Sequence, residues 1–269
     1  MHYKKIALVF LIILIGYSCN NKYAATNRSY KKQVKDFAKN LRRQPAAVDS
    51  ASMAAQWVGT TNFGIRKPGF VIIHHTAQNA CDSTLRTFTL PRTQVSAHYV
   101  ICKDGTIHHM LNDYLRAWHA GNSKWGNMTD INSSSIGIEL DNNGSEAFSD
   151  AQISSLLQVL KKLKKDNAIP AANFIGHADI APKRKNDPNK YFPWQLLAQN
   201  GYGNWYDTAK VNDLPADFNA VQSLRIIGYD TRDSIAAIKA FKLHFVQNDS
   251  TTIITEGVKK IIYDLSKRY

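Results

Sequence analysis
Three cysteines in 269 residues are too few for a dense disulfide framework. Acidic side chains are scarce beside basic ones, 21 against 34, and the formal charge of +13 suits an anionic partner. No nucleic-acid motif accompanies that charge, so no nucleic-acid partner is expected. Long hydrophobic runs are missing as well. The apolar stretch Ile6 to Ile15 has ten residues, half of the ~20 needed to span a bilayer, and after Lys4-Lys5 it reads as a secretory leader. Loss of Lys4 and Lys5 with that leader takes +13 to +11.

What the chain does have is a loop rich in chemistry. Gly176 to Pro188 reads Gly-His-Ala-Asp-Ile-Ala-Pro-Lys-Arg-Lys-Asn-Asp-Pro. Pro182 and Pro188 remove backbone donors and push the residues before them toward extended conformations, so His177 and Asp187 are expected on irregular backbone. A hydrolytic zinc site takes imidazole and carboxylate ligands, three from the protein, and leaves one position for water. One ligand is therefore missing from this loop. Its best source is Phe70 to Thr76, a short apolar run behind Pro68-Gly69 that reads as a buried strand carrying His74 and His75. Successive strand residues face opposite sides, so only one of the two can join the site, and spacing does not choose between them. In Ser135 to Leu140, Ile136, Ile138 and Leu140 share one face while Gly137 and Glu139 share the other. A carboxylate inside such a strand is costly unless partnered or functional, which makes Glu139 a candidate general base.

Val71 to Ala77, Ser96 to Val100, Arg116 to Gly121, Ser135 to Glu139 and the 176–188 loop resemble, in order, the motifs of the type 2 zinc N-acetylmuramoyl-L-alanine amidases, relatives of the peptidoglycan recognition proteins. The resemblance spans residues 60–200 or so. It implies zinc (Zn2+) held by His74, His177 and Asp187, with Glu139 as catalytic glutamate and Lys185 as catalytic lysine. It further implies a peptidoglycan or muropeptide substrate, cut between N-acetylmuramic acid and L-alanine. His75, His98, Trp118, His119 and Asn122 are the candidate substrate contacts, and Ser123 and Trp125 could extend the groove. Lys183 stands where glycine is common in the family's loop, and a positive φ there would alter the path near Lys185. The competing reading is a protein that binds peptidoglycan without cutting it, as relatives that have lost a ligand do. Retention of all five residues favours the enzyme.

The fold class expected is α/β: a central mixed sheet, with strands near 70–75, 97–102, 106–111, 135–140 and 173–176, flanked by helices as in the type 2 amidase and peptidoglycan-recognition fold. A small C-terminal helical domain follows. Asp104-Gly105 marks a hairpin. Ser149-Asp150-Ala151-Gln152 reads as a capping box opening a helix that Asn167 and Pro170 end. The expected organisation begins with a lipoprotein signal at 1–19, because Cys19 follows small Ser18 as at a lipoprotein processing site, with Gly16 standing where leucine is usual. A basic tether over 20–55 carries a helical patch at Val34, Phe37, Ala38 and Leu41. The catalytic domain spans 56–205, and 215–269 holds helices at Ala220–Ile227, Ser234–Phe245 and Thr252–Lys267. Two stretches there, Leu224 to Tyr229 and Ala240 to Phe245, resemble a three-helix peptidoglycan-binding module. A monomer is expected, and a lipidated Cys19 implies anchoring in the cell envelope, at an outer membrane facing the periplasm. Cys81 and Cys102 are then left as an even pair, bonded or as two thiols.

Overall fold
The computed structural model describes residues 22–43, 59–211 and 213–269. The apolar leader and Cys19, on which the lipid-anchor expectation falls, lie outside the described residues. Residues 1–63 and 64–269 are two separate compact units. In the first, helix α1 spans Ala24–Leu41 and takes in the expected patch; none of its residues is buried.

In the second unit the chain runs β1 (Phe70–His75), α2 (Cys81–Thr89), β2 (Tyr99–Ile101), β3 (Ile107–His109), α3 (Ile131–Ser134), β4 (Ser135–Leu140), α4 (Asp150–Asn167) and β5 (Phe174–Gly176). Then follow α5 (His177–Ile180), α6 (Trp194–Gln199), α7 (Ala220–Ile227), α8 (Ser234–Phe245) and α9 (Glu256–Ser266). The sheet order is β3-β2-β4-β1-β5, parallel except for the β2–β3 hairpin, so the expected mixed sheet is present. Gly105 turns that hairpin at φ 86°, a left-handed value that a side chain disfavours. The Cys81–Cys102 pair is a disulfide, tying the start of α2 to the end of β2.

β1 and β4 are β-branched and apolar because both their faces are covered. On one face Val71, Ile73, Ile136, Ile138 and Leu140 pack with Ile153, Leu156, Val159, Leu160 and Leu163 of α4. Each such burial is worth about 1.5–3 kcal/mol. The capping box is half made: Ser149 accepts from the Gln152 N–H at 3.1 Å, but the Gln152 side chain donates to the carbonyls of Ile101 and Asp141. Buried carbonyls at the strand ends take that amide instead of the helix end, and Ile101 accepts it beside the Asp141 N–H.

On the other face Ile72 and Ile175 share a core with Leu224, Ile227, Tyr229, Ala237, Phe241 and Phe245. The C-terminal helices are thus built onto the sheet. Helix α9 begins at Glu256, later than the expected Thr252, because Thr255 caps it by accepting from the Val258 N–H. Lys242 is fully buried in this layer and donates to Asp249 at 2.7 Å and to Thr251 at 3.2 Å. Asp249 is held down to about 2, first by Lys242 and then by Thr251. That lies below the ~3.9 of an unfolded aspartate, so the contribution is complete above that value and is lost as pH falls toward the folded one. Thermal melts at decreasing pH through this window should fall less steeply for Asp249→Asn than for the parent. Equal slopes would refute the coupling.

Candidate functional site
Strand register places the chemistry. His74 pairs with Glu139 across the parallel β1–β4 ladder, so both side chains leave the same face, and Ile73 pairs with Gly176, which puts His177 one step beyond β5. All three groups stand at the carboxyl ends of parallel strands, where open α/β sheets bind ligands. His75 leaves the opposite face, as alternation requires, and sits against Gly144. His177 does not lie on irregular backbone as expected. It opens the short helix α5, whose first turn Asp179 closes by accepting the Gly176 N–H at 2.7 Å. Asp187 lies on the loop beyond, and its carbonyl accepts the Ala178 N–H.

His74, His177 and Asp187 are buried, and three of their atoms converge. The two Nδ1 atoms are 2.9 Å apart, and each is 3.1 Å from Asp187 Oδ2. The partners on the far side of each ring assign the protons. Ser135 Oγ donates to the Ile131 carbonyl at 2.6 Å, so it accepts from His119 Nε2 at 3.1 Å. His119 Nδ1 is then an acceptor and takes the His74 Nε2 proton at 3.1 Å, which leaves His74 Nδ1 bare. His177 Nε2 faces the Ala120 carbonyl at 3.1 Å, which leaves its Nδ1 bare too. Three acceptors without a proton between them repel unless a cation sits among them, and two imidazoles with one carboxylate are a zinc donor set. The residues therefore fit zinc. A second trio, Cys81, Cys102 and His108, has the right spacing, but its sulfurs are joined in the disulfide.

Glu139 is buried, its Oε2 has no hydrogen-bond partner, and its carboxyl is pushed up to about 8 by burial first and by Asp187 second. The charge of Lys185 opposes that shift. Burial likewise lowers His74 to about 4, with the neighbouring His177 adding to it. A groove of about 370 Å³ opens over these groups, walled by Thr76, Phe88, Trp118, Arg184, Lys185 and Asn186 among others. A second hollow of about 510 Å³ lies by the disulfide and contains none of the five residues.

The expected substrate contacts divide. Trp118 is 49% exposed on the groove wall, and His75 lines it with Nδ1 unpartnered. His98 is not a contact: it is fully buried, accepts the Gly137 N–H on Nδ1 and bonds the Leu115 carbonyl through Nε2. His119 is not free to be one either, since both ring nitrogens are spent on His74 and Ser135. Asn122 is exposed outside the groove lining, and Trp125 is a core residue against Tyr229. Lys183 is not among the described residues with positive φ, so its replacement of glycine leaves the turn unstrained.

Several residues escaped the sequence reading. Gly137 is required because a Cβ there would meet the His119 ring at 2.4 Å. Asn132 Oδ1 accepts the N–H groups of His119 and Ala120 and so holds that ring in place. Arg184 clamps the same loop through the carbonyls of Ala120 and Asn122. Asp179 also accepts from Tyr229 Oη at 2.6 Å and from His244 Nδ1 at 2.8 Å, which couples the helix bearing His177 to the C-terminal layer.

The family described as N-acetylmuramoyl-L-alanine amidase matches residues 65–190. The N-acetylmuramoyl-L-alanine amidase AmiD of Escherichia coli (strain K12) is 36% identical over an alignment of 206 positions that covers 65% of this chain and 74% of AmiD. The chain belongs to this amidase family. The 1,6-anhydro-N-acetylmuramyl-L-alanine amidase AmpD of Haemophilus influenzae is 41% identical over 103 residues, 38% of the present amidase and 56% of AmpD. Among solved structures, E. coli AmiD in complex with the substrate anhydro-N-acetylmuramic acid-L-Ala-D-γ-Glu-L-Lys superposes with a TM-score of 0.69 at 31% identity, covering 78% of this amidase and 93% of AmiD. AmpDh3 of Pseudomonas aeruginosa gives a TM-score of 0.69 at 26% identity and covers 84% and 99%. Both matches extend beyond the 65–190 segment.

Proposed function
We propose that this amidase hydrolyses the amide between N-acetylmuramic acid and L-alanine in peptidoglycan or muropeptides, with zinc held by His74, His177 and Asp187. The observation that carries the reading is the trio of bare acceptor atoms about 3 Å apart beside an unpartnered buried glutamate. The activity named for AmiD and AmpD supports it. Zinc bound there would supply Lewis-acid polarisation and a more acidic water. Glu139 shares the face of His74 and takes the proton of the attacking water, then passes it to the L-alanine nitrogen as that group leaves. Lys185, on the same groove, stabilises the oxyanion, a task typically worth about 3–4 kcal/mol for one well-placed donor. Trp118 offers its exposed ring to the sugar or peptide, and His75 lines the same groove.

The same reading places the protein as a monomer in the cell envelope, at an outer membrane facing the periplasm. Acylated Cys19 anchors it through residues 20–55, and residues 215–269 add a peptidoglycan contact. These assignments rest on the leader, Cys19 and the module-like stretches of the sequence.

The test uses zinc-loaded protein from Cys19 onward, incubated with muropeptides and the products assigned by mass. Stem peptides with a free L-alanine amino group should appear and should vanish when a chelator strips the metal. Muropeptide binding without release, with zinc shown to be bound, would transfer the protein to the non-cutting class.

A further inference from the structure
The site leaves helix α1 without a task, although its apolar residues are gathered on one side. Its apolar residues Tyr30, Val34, Phe37 and Leu41 are spaced by four, three and four, which sets them in a single stripe at 3.6 residues per turn. Arg28, Lys31, Lys32, Lys35 and Lys39 lie on the remaining surface, with Asp36 as the one acid, and Arg42 and Arg43 follow directly. Phe37 is 49% and Leu41 86% exposed, and no residue of the helix is buried. No described helix is long and apolar enough to cross a membrane.

A soluble polyanion would answer the charges and leave the stripe in water. A purely apolar partner would answer the stripe and leave the cations unmatched. An anionic lipid surface meets both at once, because its headgroups attract lysine and arginine while the acyl boundary takes the aromatic and aliphatic side chains. We propose that α1 lies flat on an anionic membrane, apolar stripe inward, as a contact separate from any lipid on Cys19. At 1.5 Å per residue its 18 residues would lie along roughly 27 Å of surface.

The experiment uses the chain from Cys19 onward, made without lipid, so that α1 alone can supply membrane affinity. Flotation with vesicles of phosphatidylcholine plus phosphatidylglycerol is compared with pure phosphatidylcholine. Binding should be at least ~10-fold tighter on the anionic vesicles and weaken with added salt. Phe37→Glu with Leu41→Glu should abolish it, and Lys31→Glu with Lys35→Glu should reduce it to the neutral-vesicle level. Hydrolysis of soluble muropeptides, tested on each variant, shows that the catalytic unit has folded. Absence of vesicle binding overturns the proposal, as does binding that survives loss of Phe37 and Leu41. Retention on purified sacculi that ignores the apolar pair but needs the lysines would overturn it too and assign the charges to peptidoglycan. None of these outcomes touches the amidase reading, which the muropeptide assay measures independently.

Discussion

Glu139→Gln is expected to lower turnover by ~10²–10⁴-fold, the usual worth of a positioned proton-transfer group, while zinc content stays at the parental level. Gln keeps the size of the side chain and removes its capacity to take a proton. The carboxylate is no member of the metal trio, and its Oε2 touches no polar partner, so the substitution breaks no hydrogen bond that holds a ligand. The strand around it is secured by ladder bonds to β1 and β2 and by the α4 core. Measurement of kcat and KM on a defined muropeptide, with metal counted by elemental analysis, separates the two roles. A fall confined to kcat supports a base. A near-parental rate would remove Glu139 from the chemistry, and a matching loss of zinc would make it a ligand.

The second large effect belongs to a residue with no side chain. Gly137→Ala is expected to destabilise the fold by about 1–3 kcal/mol or more through overpacking. It should also weaken zinc binding by ~10–100-fold, the usual cost of disturbing a group that orients a ligand. The new methyl would fall 2.4 Å from the His119 ring, and that ring cannot retreat, because Asn132 holds the N–H groups of His119 and Ala120 while Ser135 and His74 hold its two nitrogens. Displacing it unlocks the proton arrangement that bares His74 Nδ1. His119→Ala opens the space but loses the lock. The pair Gly137→Ala with His119→Ala should therefore recover thermal stability relative to Gly137→Ala alone and still bind zinc weakly, a non-additive pattern. Full recovery of both properties would show that His119 merely fills space.

The contrast between Glu139 and Gly137 shows what one-dimensional patterning can carry. Alternation in Ser135–Leu140 is enough to put Glu139 on one face, and the short apolar run at Phe70–His75 is enough to bury His74, because period and run length are properties of neighbours in sequence. Depth is not. His98 and His119 occur in motifs shared with groove residues, yet their ring nitrogens are saturated by Gly137 N–H, Leu115, Ser135 and His74. Gly137 was the available clue, since a missing side chain in a central strand marks close approach by something else. The role of Arg184 is invisible in its neighbours, because the carbonyls it clamps come from more than sixty residues upstream. The short turn at His177 was equally hidden: the prolines mark where regular structure stops, and Asp179 decides that one helical turn forms first.

Asp179 has a further consequence in time. A chain is made from its amino end, and Tyr229 and His244, which grip Asp179 from the far side, are among the later residues to emerge. A polypeptide that stops short of them already carries His74, Glu139, His177, Lys185 and Asp187, the whole chemical inventory, but its His177 turn lacks two of the hydrogen bonds that steady it. A chain clipped before Tyr229 would therefore keep every chemical group and lose the grip that holds the His177 turn from behind.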